Sequence, residues 1–449
     1  MVSRQTAQPD RTVTSWGRLP GKEQLSINLW AATEGLPSRG DLTVLPFGRG
    51  RSYGDSCLNR QGVVLATSRM DRIFEFDATS GTLRCEAGLS LKGIIDYCLP
   101  RGWFPPVVPG TQYVSVGGAI ANDVHGKNHH LAGTFGRHVV EFELLRSDGS
   151  RRLCSPSENP EWFGACVGGL GLTGLITWAR IALRRVKSAL VEVEEVPFSR
   201  LEEFVQLSEE SDSGFEYTVA WFDCYSYRKD YLRGIFSRAR HVTEPDGTLP
   251  APRPAPRLMI PFVAPSLVLS PLAVRSFNAL YFHAKLRQVA RRVRLESFLF
   301  PLDAIGNWNR LYGKDGFVQL QCVFPPEGGV PGVSKILQSV SAQEQGSFLA
   351  VLKRFGDIAS PGLLSFPRAG VTLALDFQNR GTETLALLAD CHAIVRAHGG
   401  RVYPAKDACM APAVFEASFP RWRELLPYTD PRFLSDFWRR TAMALLAHR

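Results

Sequence analysis

The segment Pro46–Asp55 concentrates residue types that can hold a phosphate group. Three of its glycines lie within seven residues, and without side chains they let backbone amides approach a ligand closely. Arg49, Arg51 and the Ser52 hydroxyl add donors for a pyrophosphate. The chain then enters the strand-like Val63–Ala66, whereas a Rossmann fingerprint requires a helix directly after the glycines. The pattern predicts a phosphate-binding loop outside a Rossmann fold, or else a tight surface turn of the same composition.

A second glycine-rich run, Val116–His130, combines small residues with several hydrogen-bond donors. Its glycines and small apolar residues suit a backbone that packs flat against a planar ring. His125 and His129 are four residues apart, as paired metal ligands can be. However, Gly126 disfavours a helix here, and no nearby carboxylate completes a familiar metal spacing. We therefore predict an organic ligand site that includes Lys127, and no metal.

Each of three shorter motifs, taken alone, indicates little about function. Val108–Thr111 precedes the glycine-rich run Val116–His130, Gly168–Gly174 leads into the strand-like Leu175–Leu183, and Val402–Asp407 follows a glycine-rich turn. Lys406, within the last of them, has a residue type that more often lies on a surface than against a ligand. These segments indicate a function only when they are considered together, in their order along one chain.

Composition narrows the class of protein. The 449 residues suggest two or three folded units, and 45% hydrophobic with 21% charged residues excludes a disordered chain. The formal net charge of +9 favours anionic partners, such as phosphorylated ligands or anionic lipid. Nucleic acid is not expected, because the basic residues are not interleaved with aromatic ones. Nine cysteines without a Cys-x-x-Cys pair indicate reduced thiols.

Alternating apolar patterns predict an α+β fold with mixed sheets. The strand-like segments are Leu42–Leu45, Val63–Ala66, Val139–Leu145, Leu175–Leu183, Val191–Val196, Tyr217–Phe222, Phe317–Phe324 and Val371–Phe377. The helical ones are Leu91–Leu99, Leu201–Leu207, Val333–Ser341 and Thr384–His398. A second unit is predicted to begin near Val191.

The region between Glu244 and Arg275 is rich in proline and predicts a long flexible loop. Its uncharged part, Leu258–Val274, contains three prolines, so we do not expect a membrane-spanning helix. The basic, aromatic-containing Phe277–Leu295 is predicted to be a helix that either rests on an anionic membrane surface or lies in solvent. The polar start of the chain predicts no secretory signal. We expect a cytoplasmic protein, peripheral on the inner membrane if this helix binds lipid.

Taken in order, these segments resemble the vanillyl-alcohol-oxidase class of flavoproteins with a PCMH-type FAD-binding domain. Within it they resemble the oxidase subunits of decaprenylphosphoryl-β-D-ribose 2′-epimerases. The matching motifs are Gly50–Asp55, Pro109–Thr111, Val116–His130, Gly133–Gly136, Gly171–Gly174, Ala220–Asp223, Pro301–Asp303, Asn307–Gly313, Leu364–Pro367 and Ala405–Asp407. The run His125–His130 is highly specific to these oxidases, whereas the glycine loops would fit many flavoproteins.

The resemblance implies a two-part FAD domain at 1–190 and a substrate domain at 191–400 built on an antiparallel sheet with helices. The substrate domain would contain a flexible, membrane-facing loop at 244–294, and residues 401–449 would return to the FAD domain. Many relatives carry the flavin on a histidine where this chain has Arg51. We therefore expect FAD to be bound without a covalent link.

The resemblance also implies roles for individual residues. FAD would be held by Pro46, Phe47, Gly48, Arg49, Gly50, Arg51, Ser52, Tyr53, Gly54, Asp55, Ser56, Gly110, Ser115, Val116, Gly117, Gly118, Asn122, Asp123, Val124, His125, Ile176 and Tyr403. The substrate would contact Lys127, Trp221, Tyr312, Gln319, Gln321, Lys353 and Lys406. The catalytic residues would be Lys406, His125 and Tyr53.

The implied reaction is FAD-dependent oxidation of the 2′-hydroxyl of a polyprenylphosphoryl-β-D-ribose to the 2′-keto sugar, the first half of an epimerisation to arabinose. A separate short-chain dehydrogenase/reductase would reduce the keto sugar, and a quinone or oxygen would take the electrons. Ala374 and Thr372 depart from the usual cysteine and asparagine of these oxidases, which leaves the identity of the sugar open. The alternatives are an aldonolactone or alditol oxidase acting on a soluble sugar, and a flavin-binding protein without activity.

Overall fold

The computed structural model describes residues 11–37, 42–244, 258–286, 290–347 and 349–447. The N-terminal half contains two small sheets. The four-stranded sheet has the order Arg11–Val13, Gln24–Asn28, Val63–Ala66 and Val44–Phe47. The antiparallel five-stranded sheet has the order Ile73–Asp77, Thr82–Glu86, Leu175–Ala182, Val139–Leu145 and Arg151–Cys154. A short ribbon pairs Trp103–Phe104 with Arg184–Arg185.

The helix Leu91–Cys98 shows why the N-terminal half packs as it does. Its residues Leu91, Ile94, Ile95 and Cys98 follow helical spacing and are all buried. Ser90 caps the helix by accepting a hydrogen bond from the Gly93 amide at 3.1 Å. The helix therefore presents one apolar side to the core that it shares with the five-stranded sheet.

The largest sheet is antiparallel and has eight strands, all from residues 190–402. Its order is Arg291–Arg294, Leu190–Phe198, Tyr231–His241, Tyr217–Arg228, Ala350–Phe355, Gly370–Gln378, Phe317–Phe324 and Arg401–Val402. The helices Leu201–Ser211, Pro326–Ala342, Thr382–Ala397 and Pro412–Ser418 contribute apolar residues to its largest core. Every residue of Phe317–Phe324 is buried, which identifies it as a central strand.

The remaining elements are short, apart from one helix beside the large sheet. The α-helices are Val116–Ala121, His129–Ala132, Pro160–Cys166, Pro271–Leu286, Leu295–Leu299 and Asp436–Trp438, the last continuing through the π-turn Arg439–Met443 into Ala444–Ala447. The 3-10 turns are Leu99–Arg101, Phe135–His138, Ser266–Leu269, Pro301–Ala304, Trp308–Tyr312 and Trp422–Tyr428. Leu258–Met259 pairs with Ile305–Gly306 in parallel. None of the helices in the described part of the chain is long and apolar enough to cross a membrane.

The predicted α+β class with mixed sheets is confirmed, and the chain after the glycines of Pro46–Asp55 does run into a strand without an intervening helix. The predicted helix Phe277–Leu295 is wrong in extent. The helix is Pro271–Leu286, because proline is well accepted in a first helical turn, and Arg291–Arg294 pairs as an edge strand with Leu190–Val193. The predicted loop at 244–294 therefore contains a helix and a strand, while its residues 245–257 lie outside the described ones. The domain boundaries stay predictions.

Candidate active site

A cavity of about 540 Å³ lies between the glycine-rich loops of the N-terminal half and the eight-stranded sheet. One wall comes from the loop Pro46–Ser56, which was predicted to bind phosphate, and from the segment between Val108 and Lys127. The opposite wall comes from large-sheet strands that contain Trp221, Gln319 and Lys353. The sequence motifs that lie far apart in the chain thus meet around one space.

The loop Pro46–Ser56 is shaped by backbone contacts that exclude larger residues. A Cβ atom on Gly54 would lie 1.7 Å from the Asp407 carbonyl oxygen, so only glycine permits this approach. The Tyr53 amide donates to the Ala405 carbonyl at 2.8 Å. These contacts join the loop directly to the segment that carries Lys406.

The donors around this wall fit an anionic cofactor with a planar ring. The Arg51 guanidinium lies 4.0 Å from the Trp16 ring centroid and 5.3 Å from that of Tyr113. Its buried Nε has no hydrogen-bond partner among the described residues, which suits a ligand acceptor. A Cβ on Gly48 would lie 2.2 Å from Ser115 Oγ, while Gly110 opens on free space. The cationic donors, the orphaned nitrogen and the bare backbone together fit FAD.

Lys406 and Tyr53 both line the cavity and contact each other. Lys406 Nζ lies 3.5 Å from the centroid of the Tyr53 ring, and the exposed part of the lysine side chain faces the cavity. Removal from solvent and the nearby ammonium of Lys353 lower the pKa of Lys406, while Asp376 acts in the opposite direction. The amine is therefore able to gain and lose a proton near neutral pH.

Asp376 is a residue of the site that the sequence interpretation missed. Its buried carboxylate accepts hydrogen bonds from the Gln319 amide, which faces it on the neighbouring strand, and from the Tyr312 hydroxyl at 3.3 Å. Gln319 also lies beside the Tyr53 hydroxyl and lowers its pKa, against the larger effect of burial, which raises it. Burial raises the pKa of Asp376. An acidic residue inside the apolar strand Gly370–Gln378 was the available signal, because an acid is rarely buried without a partner.

His125 is held as a neutral donor. The Gln321 amide nitrogen lies 2.9 Å from His125 Nε2, so this nitrogen accepts and the proton is assigned to Nδ1. Burial and the nearby Lys353 depress the pKa of His125 well below its ordinary value. Nδ1 has no partner among the described residues. His125 can therefore donate to a ligand but does not supply positive charge.

Part of the cavity is lined by charged residues. We name it the outer compartment and define it by Lys127, Glu195, Lys285, Arg291 and Lys353. Lys285 Nζ lies 2.6 Å from Glu195 Oε1, and Arg291 lies 3.6 Å from the same oxygen. Lys127 donates to the Phe298 carbonyl. The edge of this compartment is aromatic, because Trp221 packs against Tyr281 with ring centroids 4.7 Å apart.

Most of the predicted site residues line this cavity. Those of the predicted cofactor set are Pro46, Gly48, Arg49, Gly50, Arg51, Ser52, Tyr53, Ser56, Gly110, Ser115, Gly117, Gly118, Asn122, Val124, His125, Ile176 and Tyr403. Those of the predicted substrate set are Lys127, Trp221, Gln319, Gln321, Lys353 and Lys406. Ala374 also lines the cavity, whereas Thr372 is buried opposite Lys353.

Three predicted cofactor residues lie behind the wall because their packing is apolar or tight. Phe47 packs in a small core with Leu45 and Val64. Val116 is fully buried against the five-stranded sheet. Gly54 contacts Asp407 rather than the cavity. Their contribution is to position the loop backbone.

Three further predicted residues are committed to protein contacts. Asp55 is bound by Arg440, with Nη2–Oδ1 at 2.9 Å. Asp123 accepts from Ser365 and from the Gly136 amide. Tyr312 stacks on Phe317 with ring centroids 4.2 Å apart, and its hydroxyl donates to the Asp376 carboxylate. These side chains support the site and do not line it.

Asp303 was also missed as a positioning residue. Its carboxylate accepts from Thr111 Oγ1 at 2.7 Å and from the Gln112 amide at 2.8 Å. It lines the cavity close to Arg51, since the two charges affect each other's pKa. Asp303 therefore ties the turn after Val108 to the segment that follows Leu295–Leu299.

Comparison with known proteins places these features in context. Residues 32–155 match the family of FAD binding domains. The decaprenylphosphoryl-beta-D-ribose oxidase of Mycolicibacterium smegmatis is 34% identical over 411 residues, which is 88% of each chain. An uncharacterized protein from the mprA 5′ region of Streptomyces coelicolor is 32% identical over 79% of this chain and 100% of its own. Cytokinin dehydrogenase 8 of Oryza sativa is 30% identical over only 36% of this chain.

Proposed function

Because the chain belongs to the family of the decaprenylphosphoryl-β-D-ribose oxidases and is an FAD-dependent oxidoreductase, we propose that it oxidises the 2′-hydroxyl of a polyprenylphosphoryl-β-D-ribose to the 2′-keto sugar. One observation carries this proposal most directly. Lys406 joins the phosphate-binding loop at Tyr53 and faces a cavity whose outer compartment is cationic. A neutral sugar would not need those outer charges, whereas a sugar phosphate would.

The residues of the chain bind and orient the substrate, and one of them removes the proton of its reacting hydroxyl. When bound, FAD supplies the two-electron oxidant that the side chains lack. Lys406 Nζ takes the proton of the reacting hydroxyl, because its lowered pKa leaves a useful fraction of neutral amine. The Tyr53 ring contacts Lys406 Nζ, and Gln319 lies beside Tyr53, so these two residues position the lysine. Arg51 would hold FAD through hydrogen bonds and not through a covalent link, so acid precipitation of the protein is expected to release FAD into the supernatant.

The first test is anaerobic bleaching of the flavin absorbance. A short-chain polyprenylphosphoryl ribose is expected to reduce the flavin rapidly, whereas gulonolactone and xylitol are expected to leave it oxidised. Bleaching by a soluble sugar alone would support an aldonolactone or alditol oxidase and contradict the proposal. A flavin that none of these alcohols bleaches would indicate a binding protein without oxidase activity.

Asp376 is expected to set the pH at which Lys406 becomes active. Its carboxylate raises the pKa of Lys406 against desolvation, which acts in the other direction, so Asp376→Asn should lower that pKa further. Activity that requires the neutral amine rises as pH passes the lysine pKa. We therefore expect the rising limb of kcat/KM against pH to move to lower pH by about one unit in Asp376→Asn.

Two matched variants separate this electrostatic effect from a loss of structure. Asp376→Glu retains the charge and should leave the limb close to its wild-type position. Asp390→Asn changes an exposed acid on the helix Thr382–Ala397 and should have no effect. A limb that stays in place in Asp376→Asn, with bound flavin retained, would show that the carboxylate does not act on Lys406.

The proposed substrate requires contact with lipid, and the helix Pro271–Leu286 offers a surface for it. Leu272 is 77%, Leu280 73% and Phe277 49% exposed on this helix. Phe262 is 68% exposed in the preceding segment. The exposed Arg275 lies among them. We propose that this surface rests peripherally on an anionic membrane.

The double variant Leu272→Ser, Leu280→Ser is expected to weaken binding to vesicles of anionic phospholipid at least about tenfold, because two large side chains no longer insert. Sedimentation with vesicles measures this directly. The matched control is Leu385→Ser, which changes a leucine that is 44% exposed on another helix. Equal sedimentation of the double variant and the control would contradict a membrane contact through this helix.

The product also defines the partners that we propose. A 2′-keto sugar needs a separate reductant to become the arabinose epimer, which suits a short-chain dehydrogenase/reductase. The electrons pass to a quinone or to oxygen. We propose a cytoplasmic location with loose attachment to the inner membrane. Co-purification of such a reductase and quinone-dependent reoxidation of the flavin would test these partners.

A further inference from the structure

A second cavity, of about 20 Å³, lies beside the buried carboxylate of Asp376. We name it the small cavity, and the residues around it include Val274, Tyr312, Gln345, Asp376 and Arg380. Among the described residues, none lines both this cavity and the main cavity of the candidate active site. A buried water molecule needs roughly 10–15 Å³ and at least two polar partners. The small cavity therefore has room for one water.

The two carboxylate oxygens of Asp376 have partners from the two cavities. Oδ1 accepts a hydrogen bond from the amide of Gln319, which lines the main cavity. Oδ2 accepts from the hydroxyl of Tyr312 at 3.3 Å, and Tyr312 lines the small cavity. The charge of Asp376 also acts on the pKa of Lys406. The carboxylate therefore lies between the proposed proton acceptor and the small cavity.

Arg380 connects the small cavity with the protein surface. This arginine is exposed and follows the strand Gly370–Gln378, in which Asp376 is only 2% exposed. Another side of the cavity is closed by Val274, which is 5% exposed on the helix Pro271–Leu286. The small cavity thus extends from a buried carboxylate toward a side chain in solvent.

The main cavity is a poor route to water for a proton when a lipid-linked substrate is bound. Tyr281 and Lys285 line it and belong to the helix Pro271–Leu286, whose exposed leucines face the proposed membrane surface. The substrate fills the cavity and extends its lipid toward that surface. The proton on Lys406 must nevertheless leave before the next turnover, because only the neutral amine accepts another.

The proton affinities of the two groups suit a transfer between them. The ordinary pKa values of a lysine and an aspartic acid differ by about six units. Burial raises the pKa of Asp376, whereas burial and the charge of Lys353 lower that of Lys406. These opposite shifts bring the two proton affinities closer together. A proton can therefore move from the ammonium to the carboxylate at a smaller cost in free energy than in water.

We propose that Asp376 and the small cavity form a proton exit, through which the proton taken by Lys406 reaches solvent without passing the bound lipid. This inference rests on the proposed function. Oxidation of the alcohol breaks its O–H bond and forms an N–H bond at Lys406. The proton then moves from the ammonium to a carboxylate oxygen of Asp376, and from the carboxyl to water in the small cavity. The amine and the carboxylate are both restored, and no electrons move in these transfers.

The first transfer needs a bridge. Asp376 acts on the described side chain of Lys406 through its charge, without a hydrogen bond between the two. A water molecule between them can accept from the ammonium and donate to the carboxylate, as bridging waters do in active sites. Deuterated solvent therefore slows every transfer along the exit.

Filling the small cavity tests the exit. Val274→Phe places an aromatic ring where the water would lie. Oxidation of a short-chain polyprenylphosphoryl ribose, with a soluble quinone as electron acceptor, should show a kcat about fivefold lower or more, because Lys406 stays protonated between turnovers. We expect kcat/KM and the stopped-flow rate of the first flavin bleaching to stay within about twofold of the wild type, because the first proton requires only Lys406.

Two controls separate blockage from damage to the packing. Val274→Ala disturbs the same contacts but leaves the cavity open, so its kcat should remain close to that of the wild type. Leu385→Phe adds a ring to a leucine that is 44% exposed on the helix Thr382–Ala397 and should have no effect. The solvent deuterium isotope effect on kcat should increase in Val274→Phe alone among these three variants.

A second variant tests the carboxylate itself. Asp376→Asn keeps the shape of the side chain but cannot carry the proton. At a pH above the rising limb of kcat/KM, its kcat is expected to fall about fivefold or more while kcat/KM keeps its plateau value. A purely electrostatic role of Asp376 would move the limb and leave the plateau kcat unchanged. Asp376→Glu retains a carboxylate and should restore most of kcat.

The outcomes distinguish the exit from the proposed function. A wild-type kcat in both Val274→Phe and Asp376→Asn, with bound flavin retained, would overturn the exit. Equal losses of kcat and kcat/KM in Asp376→Asn would also overturn it, and this variant decides alone if Val274→Phe loses its flavin. If lipid-linked ribose bleaches the wild-type flavin, the proposed function stands and only the exit fails. If it does not, the proposed function itself is wrong.

Discussion

Replacing Lys406 with methionine is expected to slow reduction of the flavin by lipid-linked ribose about 10³-fold while the protein keeps its bound FAD. The substitution removes the amine that lies 3.5 Å from the Tyr53 ring centroid but retains the apolar stem that fills the same space. Proton removal and charge stabilisation at the reacting hydroxyl are both lost. Stopped-flow measurement of anaerobic bleaching gives the rate.

The controls for this variant follow from the local contacts. Lys406 is joined to the phosphate-binding loop through backbone hydrogen bonds such as Tyr53 N to Ala405 O, which the substitution leaves intact. The flavin content should therefore match that of the wild type. Lys335→Met is the control for removal of a lysine elsewhere. Wild-type bleaching rates in Lys406→Met would exclude the amine from the reaction.

The second large effect is expected on stability. Arg440 binds two buried carboxylates at once, Asp55 in the loop Pro46–Ser56 at 2.9 Å and Asp407 next to Lys406. The side chains of Asp55 and Asp407 are only 3% and 1% exposed. Arg440→Met leaves both buried without their principal cation, and this should lower the free energy of unfolding by about 3–5 kcal/mol. Urea denaturation of the wild type and the variant measures the difference.

The matched control is Arg421→Met, because that arginine pairs with Glu424 on the surface and its side chain is 66% exposed. Its substitution should change the stability by less than about 1 kcal/mol. Arg440→Met should also release FAD more readily, since the arginine joins the phosphate-binding loop to the C-terminal segment. Equal losses of stability in the two variants would show that the buried ion pairs contribute no more to stability than the exposed one.

The same ion pairs predict an acid dependence. Burial raises the pKa of Asp407, but Arg440 outweighs it and holds the pKa below its ordinary value. A carboxyl with a depressed folded pKa contributes stability above the unfolded pKa, near 4, and loses it as pH falls further. The stability difference between the wild type and Arg440→Met should therefore shrink below about pH 4.

The sequence alone allowed site roles to be predicted for residues that lie close together in the chain. The loop Pro46–Ser56 and the run Val116–His130 were predicted to hold the cofactor, and most of their members line the cavity. Glycine spacing and local donors are sufficient for that inference, because they determine backbone shape within a few residues. The helix Leu91–Cys98 was found from its apolar period in the same way.

The roles of the acidic residues could not be predicted from local sequence in this way. Asp55 and Asp123 lie in ligand-binding segments, but their carboxylates are bound by Arg440 and Ser365, hundreds of residues away in the chain. Asp376 was overlooked because its partner Gln319 lies on the adjacent strand. The role of an acid depends on which charge or donor faces it, and local sequence does not specify that.

The strands Tyr231–His241 and Ala350–Phe355 were not predicted either, since arginine and lysine interrupt their apolar pattern. In the large sheet these cations face acids or the cavity. The chain's own patterns were thus enough to indicate the fold class, the flavin donors and a catalytic lysine candidate, because each rests on neighbouring residues or on a family motif. The electrostatic effect of Asp376 on Lys406 and the charges of the outer compartment arise only when distant strands come together, because electrostatic effects depend on distance in space.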